Sequence, residues 1–138
     1  MSAPTRPQSL RISAPGRICL FGEHQDYLHL PVVPCAISLR VTIEGVRTAR
    51  PWAELDLPDI RSRESFPLDC PLHYEKERDY LRSAVNVVHR HGYTHSTGIR
   101  AAVHGTIPIN TGTSSSSALI VAWVDFLVRM SDRAALLA

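Results

Sequence analysis

The sequence predicts an α+β domain in which helices gather against a sheet. Three observations carry that expectation. Apolar and polar residues alternate with period two early in the chain, two later stretches repeat every three or four residues, and the order runs strands, helix, strand, polar loop, helix. At 138 residues the chain suits one domain with a core of its own, and is too short for two independent ones.

Leu10–Ala14 alternates as a half-buried strand does. Pro15-Gly16 is a turn signal, and Arg17–Phe21 resumes strand chemistry. Gly22 breaks the pattern and opens the polar run from Glu23 to Tyr27. Val32–Val46 is again rich in β-branched residues, although Pro34 argues against one unbroken strand. The proline-rich region 50–72 reads as loop, with a short strand at Ala53–Leu57. Tyr74–His91 has the helical recurrence of Tyr80 or Leu81, Ala84, Val85 and Val88, with Lys76, Glu77, Arg78 and Arg82 expected on its wet face and Gly92 as its stop. Ile99–Ile107 reads as a strand ended by Pro108, and an apolar helix is expected from Ser115 to Met130. Ser131-Asp132 is a candidate cap for a further helix. Residues 1–9, rich in Pro and Ser, are expected to form a flexible N-terminus, with the domain occupying 10–138.

Fifteen basic and thirteen acidic residues leave a net charge of +2, without a basic stripe to favour nucleic acid or an anionic membrane. No apolar run approaches the ~18 residues needed to span a bilayer. Cys19, Cys35 and Cys70 match neither a disulfide framework nor a paired zinc pattern, so reduced and mostly buried thiols of a cytoplasmic protein are expected. Trp52 and Trp123 are candidates for the core, and the scattered histidines form no ligand pattern.

Two segments concentrate chemistry. In the first, Pro108 to Leu119, a strand delivers the chain to Gly112, then Thr113, Ser114, Ser115, Ser116 and Ser117 lead into a helix. The free N–H groups of a helix start and the positive end of its dipole suit phosphate. Gly112 permits close backbone approach, and a serine hydroxyl can bond phosphate or ligate Mg²⁺. The plainer reading is a helix cap with a linker, but four serines weaken the helix where it must begin. No lysine follows the glycine, so this is not a Walker A loop. In the second, Arg17, Glu23, His24 and Asp26 fall within ten residues at a strand end. Carboxylates there can accept bonds from neighbouring sugar hydroxyls, and a solvated turn is the alternative.

Taken together, the run Gly16-Arg-Ile-Cys-Leu-Phe-Gly-Glu-His-Gln-Asp-Tyr27 resembles the galactokinase signature, and Pro108 to Ala118 resembles the nucleotide motif of GHMP kinases. The resemblance implies the ribosomal-S5-like N-terminal domain of those enzymes, an ATP- and Mg²⁺-dependent sugar kinase, and a ferredoxin-like C-terminal domain supplied in cis. It implies that Arg17, Glu23, His24 and Asp26 surround the sugar, with Arg17 also near the transferred phosphate. Gly112 and residues 113–117 would wrap the ATP phosphates, and Ser116 would ligate Mg²⁺. Asp26 tilts the acceptor towards a sugar rather than mevalonate. Cys19, Gln25 and Leu28-His29-Leu30-Pro31 depart from the signature, which leaves galactose itself open against other hexoses, uronic acids or a polyol. The catalytic Asp of that family follows the nucleotide loop at a greater distance than Asp125 or Asp132, so the chain alone is expected to be incomplete and inactive. The alternatives are a non-catalytic sugar and ATP sensor of the same fold, a mevalonate-kinase-like enzyme, and a purely structural domain.

Overall fold

A computed structural model describes residues 7–22, 25–108 and 114–133. The strands are β1 (Ser9–Phe21), β2 (Val33–Thr48), β3 (Trp52–Leu57), β4 (Ser62–Pro67) and β5 (Gly98–Gly105), and the helices are α1 (Tyr80–Arg90) and α2 (Ser115–Met130). The five strands form one sheet in the order β1-β2-β5-β3-β4, antiparallel except for β3 beside β5. The expected α+β class is present.

Period-two patterning decides which face is dry. Ala14, Val41, Ile43, Ala53, Leu55, Phe66, Ile99, Ala101 and Val103 share the buried face. The opposite face carries the cross-strand row Arg11, Glu44, Ala102, Asp56, Arg63, with Arg11–Glu44 and Arg63–Asp56 ion pairs at 2.8 and 3.4 Å. Those pairs are exposed, so they favour solubility and register more than stability. On the dry face α2 packs across β1 and β2, and α1 packs on α2.

The Pro15-Gly16 turn does not form: β1 runs through it, with a register irregularity between Pro15 and Arg17. An edge strand absorbs a proline and a bulge because its outer side needs no ladder hydrogen bond. Nor does Pro34 break β2. It pairs opposite Cys19, in the stretch before Val41 where, among the described residues, β1 is the only strand paired with β2. The region 50–72 is more ordered than its prolines suggest, because β3 and β4 form a hairpin whose connection ends at Arg61 in the left-handed region (φ 49°). Gly98 opens β5 where a Cβ would sit 1.8 Å from the Arg50 carbonyl oxygen, so only glycine fits between β2 and β3.

α1 begins later than its periodicity suggests. The Asp79 carboxylate accepts from the Arg82 backbone N–H at 3.3 Å and so caps the helix, and Tyr80 becomes its first residue. Arg82 is not on a wet face. It is buried over the Phe66 ring, with guanidinium contacts to Asp79 (3.2 Å), Glu64 (3.4 Å) and Glu75 (2.8 Å). Leu81, Ala84, Val85 and Val88 are buried as their spacing requires. The thiols are less buried than expected: Cys35 is exposed, and Cys19 and Cys70 are intermediate. No described helix is long and apolar enough to cross a membrane.

Candidate functional site

The site is built around α2. Ala118, Ala122, Trp123, Phe126, Leu127 and Met130 form its buried stripe at intervals of one, three and four residues. Trp123 is fully buried, stacks on Phe126 with centroids 5.9 Å apart, and donates its indole N–H to the Leu81 carbonyl of α1 at 3.1 Å. At the other end of the helix, the Asp132 carboxylate accepts from the Ser96 backbone N–H (2.8 Å) and hydroxyl (2.7 Å). The His95 ring nitrogen Nε2 lies 2.9 Å from the Leu127 carbonyl oxygen. These contacts tie α2 to α1 and to the segment entering β5, so its first turn is held from a rigid frame.

That first turn is the serine cluster. Ser114 is the N-cap residue in the left-handed region (φ 58°), and its side chain makes no capping bond. Ser115 is half-buried, while Ser116 and Ser117 are exposed. The first turn contains no acidic residue, so the helix dipole is left for an external anion. Gly112 and Thr113 lie outside the described residues.

The second segment sits at the far end of β1. Arg17 is exposed on β1, opposite Ala36 of β2. Glu23 and His24 lie outside the described residues, and Asp26 is described by its backbone alone, as the first residue of a 3-10 turn (Asp26–Leu28). The backbone of this loop has a device that sequence reading took only as a pattern break. Gly22 is at φ 84°, and a Cβ there would meet the Pro31 carbonyl oxygen at 2.8 Å. The loop then folds on itself: Gln25 N–H donates to the Gly22 carbonyl, and the Gln25 carbonyl accepts from Leu28 and Leu30. A glycine ending an alternating strand was the available signal. Because α2 lies on β1 and β2, both chemistry-bearing segments belong to one packed unit.

Burial is the largest influence on His95 and lowers the pKa of its imidazole. Arg47 and His89 push the same way, against the Leu127 carbonyl and Asp132. The fold therefore holds the neutral ring. Its contribution to stability is complete above the unfolded value of about 6.5 and is lost as pH falls through the lowered folded value. The expected result is a melting temperature that drops as pH falls below about 6.5, with a shallower drop in His95→Gln, read by circular dichroism. Asp125 and Asp132 have structural partners, Asp125 in an ion pair with Arg129 at 2.7 Å and Asp132 with Ser96. Among the described residues, no group of three or more His, Cys, Asp or Glu side chains is placed to hold a metal.

Comparison with known proteins agrees with both segments. Residues 3–46 match the galactokinase galactose-binding signature, and residues 79–136 match the GHMP kinases N terminal domain. The galactokinase of Haemophilus influenzae strain PittEE is 32% identical over 128 residues, covering 89% of this chain and 33% of that protein. The galactokinase of Thermococcus kodakarensis is 34% identical over 118 residues, covering 86% and 33%. Among solved structures, Methanococcus jannaschii mevalonate kinase superposes with a TM-score of 0.75 at 23% identity, over 89% of this chain and 40% of that one, a likeness of fold. Lactococcus lactis galactokinase complexed with galactose gives 0.71 at 26%, over 84% and 31%. The chain belongs to the GHMP kinase superfamily. Within it, the domain is of the galactokinase-like N-terminal kind. It spans about a third of the length of the curated galactokinases it matches.

Proposed function

We propose that this domain supplies the acceptor loop and the phosphate-binding helix of an ATP-dependent sugar kinase. The observation that supports this is the packing of α2, led by its serine turn, across the two strands that bear Arg17 and flank the 22–32 loop. In this reading Arg17, Glu23, His24 and Asp26 orient the sugar, and Gly112, Thr113 and residues 114–117 surround the ATP phosphates. The acceptor hydroxyl oxygen bonds to the γ-phosphorus as the bond to the ADP oxygen breaks. The hydroxyl proton passes to a base that the family resemblance assigns downstream of the nucleotide loop. Such transfer depends on alignment and charge neutralisation, so Arg17 and the α2 N-terminus carry the larger part of this domain's contribution. We assign the protein to the cytoplasm, where ATP is available.

Mg²⁺ fits this arrangement in a limited way. An exposed Ser116 hydroxyl is a hard oxygen donor, and Mg²⁺ in nucleotide sites takes one or two protein ligands while phosphates and water complete its shell. Ser116 would be such a ligand; when bound, the ion neutralises phosphate charge.

Calorimetry on the 138-residue chain tests the reading. Mg-ATP binding is expected, weakened about tenfold or more in Ser116→Ala by loss of one charge-assisted contact. The melting temperature should stay within the scatter of surface substitutions, because Ser116 is exposed. A folded chain that takes up neither Mg-ATP nor a sugar would overturn the assignment.

A further inference from the structure

Strand β5 ends where the chain departs for the serine turn, and its last residues are held from two sides. On the β2 side the ladder closes with Val41 opposite Gly105. Just beyond it, the Thr106 backbone N–H donates to the Arg40 carbonyl at 2.9 Å, and the Arg40 backbone N–H donates to the Thr106 hydroxyl at 2.9 Å. On the β3 side the ladder stops sooner, at Asp56 opposite Ala102. Successive N–H groups of a strand point to opposite sides, so with Thr106 bonded towards β2, the Gly105 N–H faces the side that β3 has left. There β3 gives way to a 3-10 turn (Pro58–Ile60). The Asp59 carboxylate of that turn accepts from the Gly105 N–H at 2.5 Å, from forty-six residues away in sequence. Ile107, the next residue but one, is buried.

The Asp59 bond does little for stability, because Asp59 and Gly105 are both exposed and water would satisfy either group. Nor does its charge help an anionic ligand, since like charges repel. What the bond does is fix the backbone at the last point where β5 has no strand beside it. We propose that Asp59 is a positioning residue for the phosphate-binding turn: its carboxylate takes the place of a neighbouring strand at the end of β5 and sets the direction in which the chain leaves the sheet. This rests on the reading of residues 112–117 as the turn that surrounds the ATP phosphates.

Calorimetry with Mg-ATP on the 138-residue chain and three variants tests the role, each variant first checked for a cooperative melt. Asp59→Ala removes the acceptor and a negative charge, and Asp59→Asn removes the charge but keeps a side-chain oxygen. Asp56→Ala removes an equal charge from β3, where its partner is Arg63. Loss of negative charge by itself favours an anion slightly. Asp59→Ala is nevertheless expected to bind Mg-ATP about fivefold more weakly, while Asp59→Asn and Asp56→Ala bind at least as tightly as the unaltered chain. Hydrogen exchange at the Gly105 amide should be faster in Asp59→Ala alone. Unchanged exchange or undiminished affinity in Asp59→Ala, or a weakening that either other variant shares, overturns the role of Asp59 and leaves the kinase reading standing. An unaltered chain that takes up no Mg-ATP overturns that reading and this proposal together.

Discussion

Arg82→Met should lower stability by about 3–5 kcal/mol, the scale for removing one partner of a buried ion pair. The guanidinium is surrounded by Asp79, Glu64 and Glu75 and lies 4.8 Å from the centre of the Phe66 ring. Methionine keeps much of the aliphatic stem against Phe66, so lost packing is a small part of the effect. The larger part is Asp79, whose side chain is only 1% exposed and would lose its buried cation. Glu64 suffers less, because Lys76 also pairs with it. Urea unfolding at neutral pH measures the loss. Adding Asp79→Asn to Arg82→Met should recover part of it, since the buried negative charge is then gone while a side-chain oxygen remains to cap α1. A double variant as unstable as the sum of the singles would show that the two residues do not act on each other.

Arg82 also shows what a one-dimensional pattern misses. Charge alone puts it with Lys76, Glu77 and Arg78 on the outside of the helix expected over Tyr74–His91, yet it faces inward because β4 presents Glu64 and Phe66 to that side of α1. Asp79 and Glu75 are near in sequence, but Glu64 lies eighteen residues away, beyond the reach of a local pattern. The start of α1 misled for a related reason. Apolar periodicity extends back to Tyr74, and the carboxylate of Asp79 decides the boundary. By contrast, α2 was legible at both ends, because a sixteen-residue segment rich in apolar side chains begins directly in the serine cluster. The Pro15-Gly16 turn failed because a proline-glycine pair encodes a local kink without saying whether a partner strand will straighten it.

The candidate site divides along the same line. Each segment's chemistry, anion-seeking helix start and carboxylate-bearing loop, was readable from residue type and order. What the sequence could not provide is that α2 crosses β1 and β2 rather than the β3–β4 edge. Ala14 and Gly16 of β1 are buried, and they present no bulk to hold a helix off those strands.

The same packing makes Trp123 the strongest test of how the fold serves the site. Trp123→Ala should cost about 3–5 kcal/mol through lost burial and the cavity left between α1, α2 and the sheet. Trp123→Phe keeps most of the volume and should cost less, mainly for the bond from the indole to the Leu81 carbonyl. If α2 serves as the frame for the serine turn, both variants should weaken Mg-ATP at temperatures where they remain folded, because a phosphate site loses affinity once its donors are no longer fixed. The comparison separates position from stability. His95→Gln also acts on an α2 contact, but it retains a side-chain donor for the Leu127 carbonyl and should leave affinity near that of the unaltered chain at neutral pH. Calorimetry on the three variants, each first checked for a cooperative melt, would expose the idea as wrong if Trp123→Phe bound Mg-ATP as tightly as the unaltered chain while being measurably less stable.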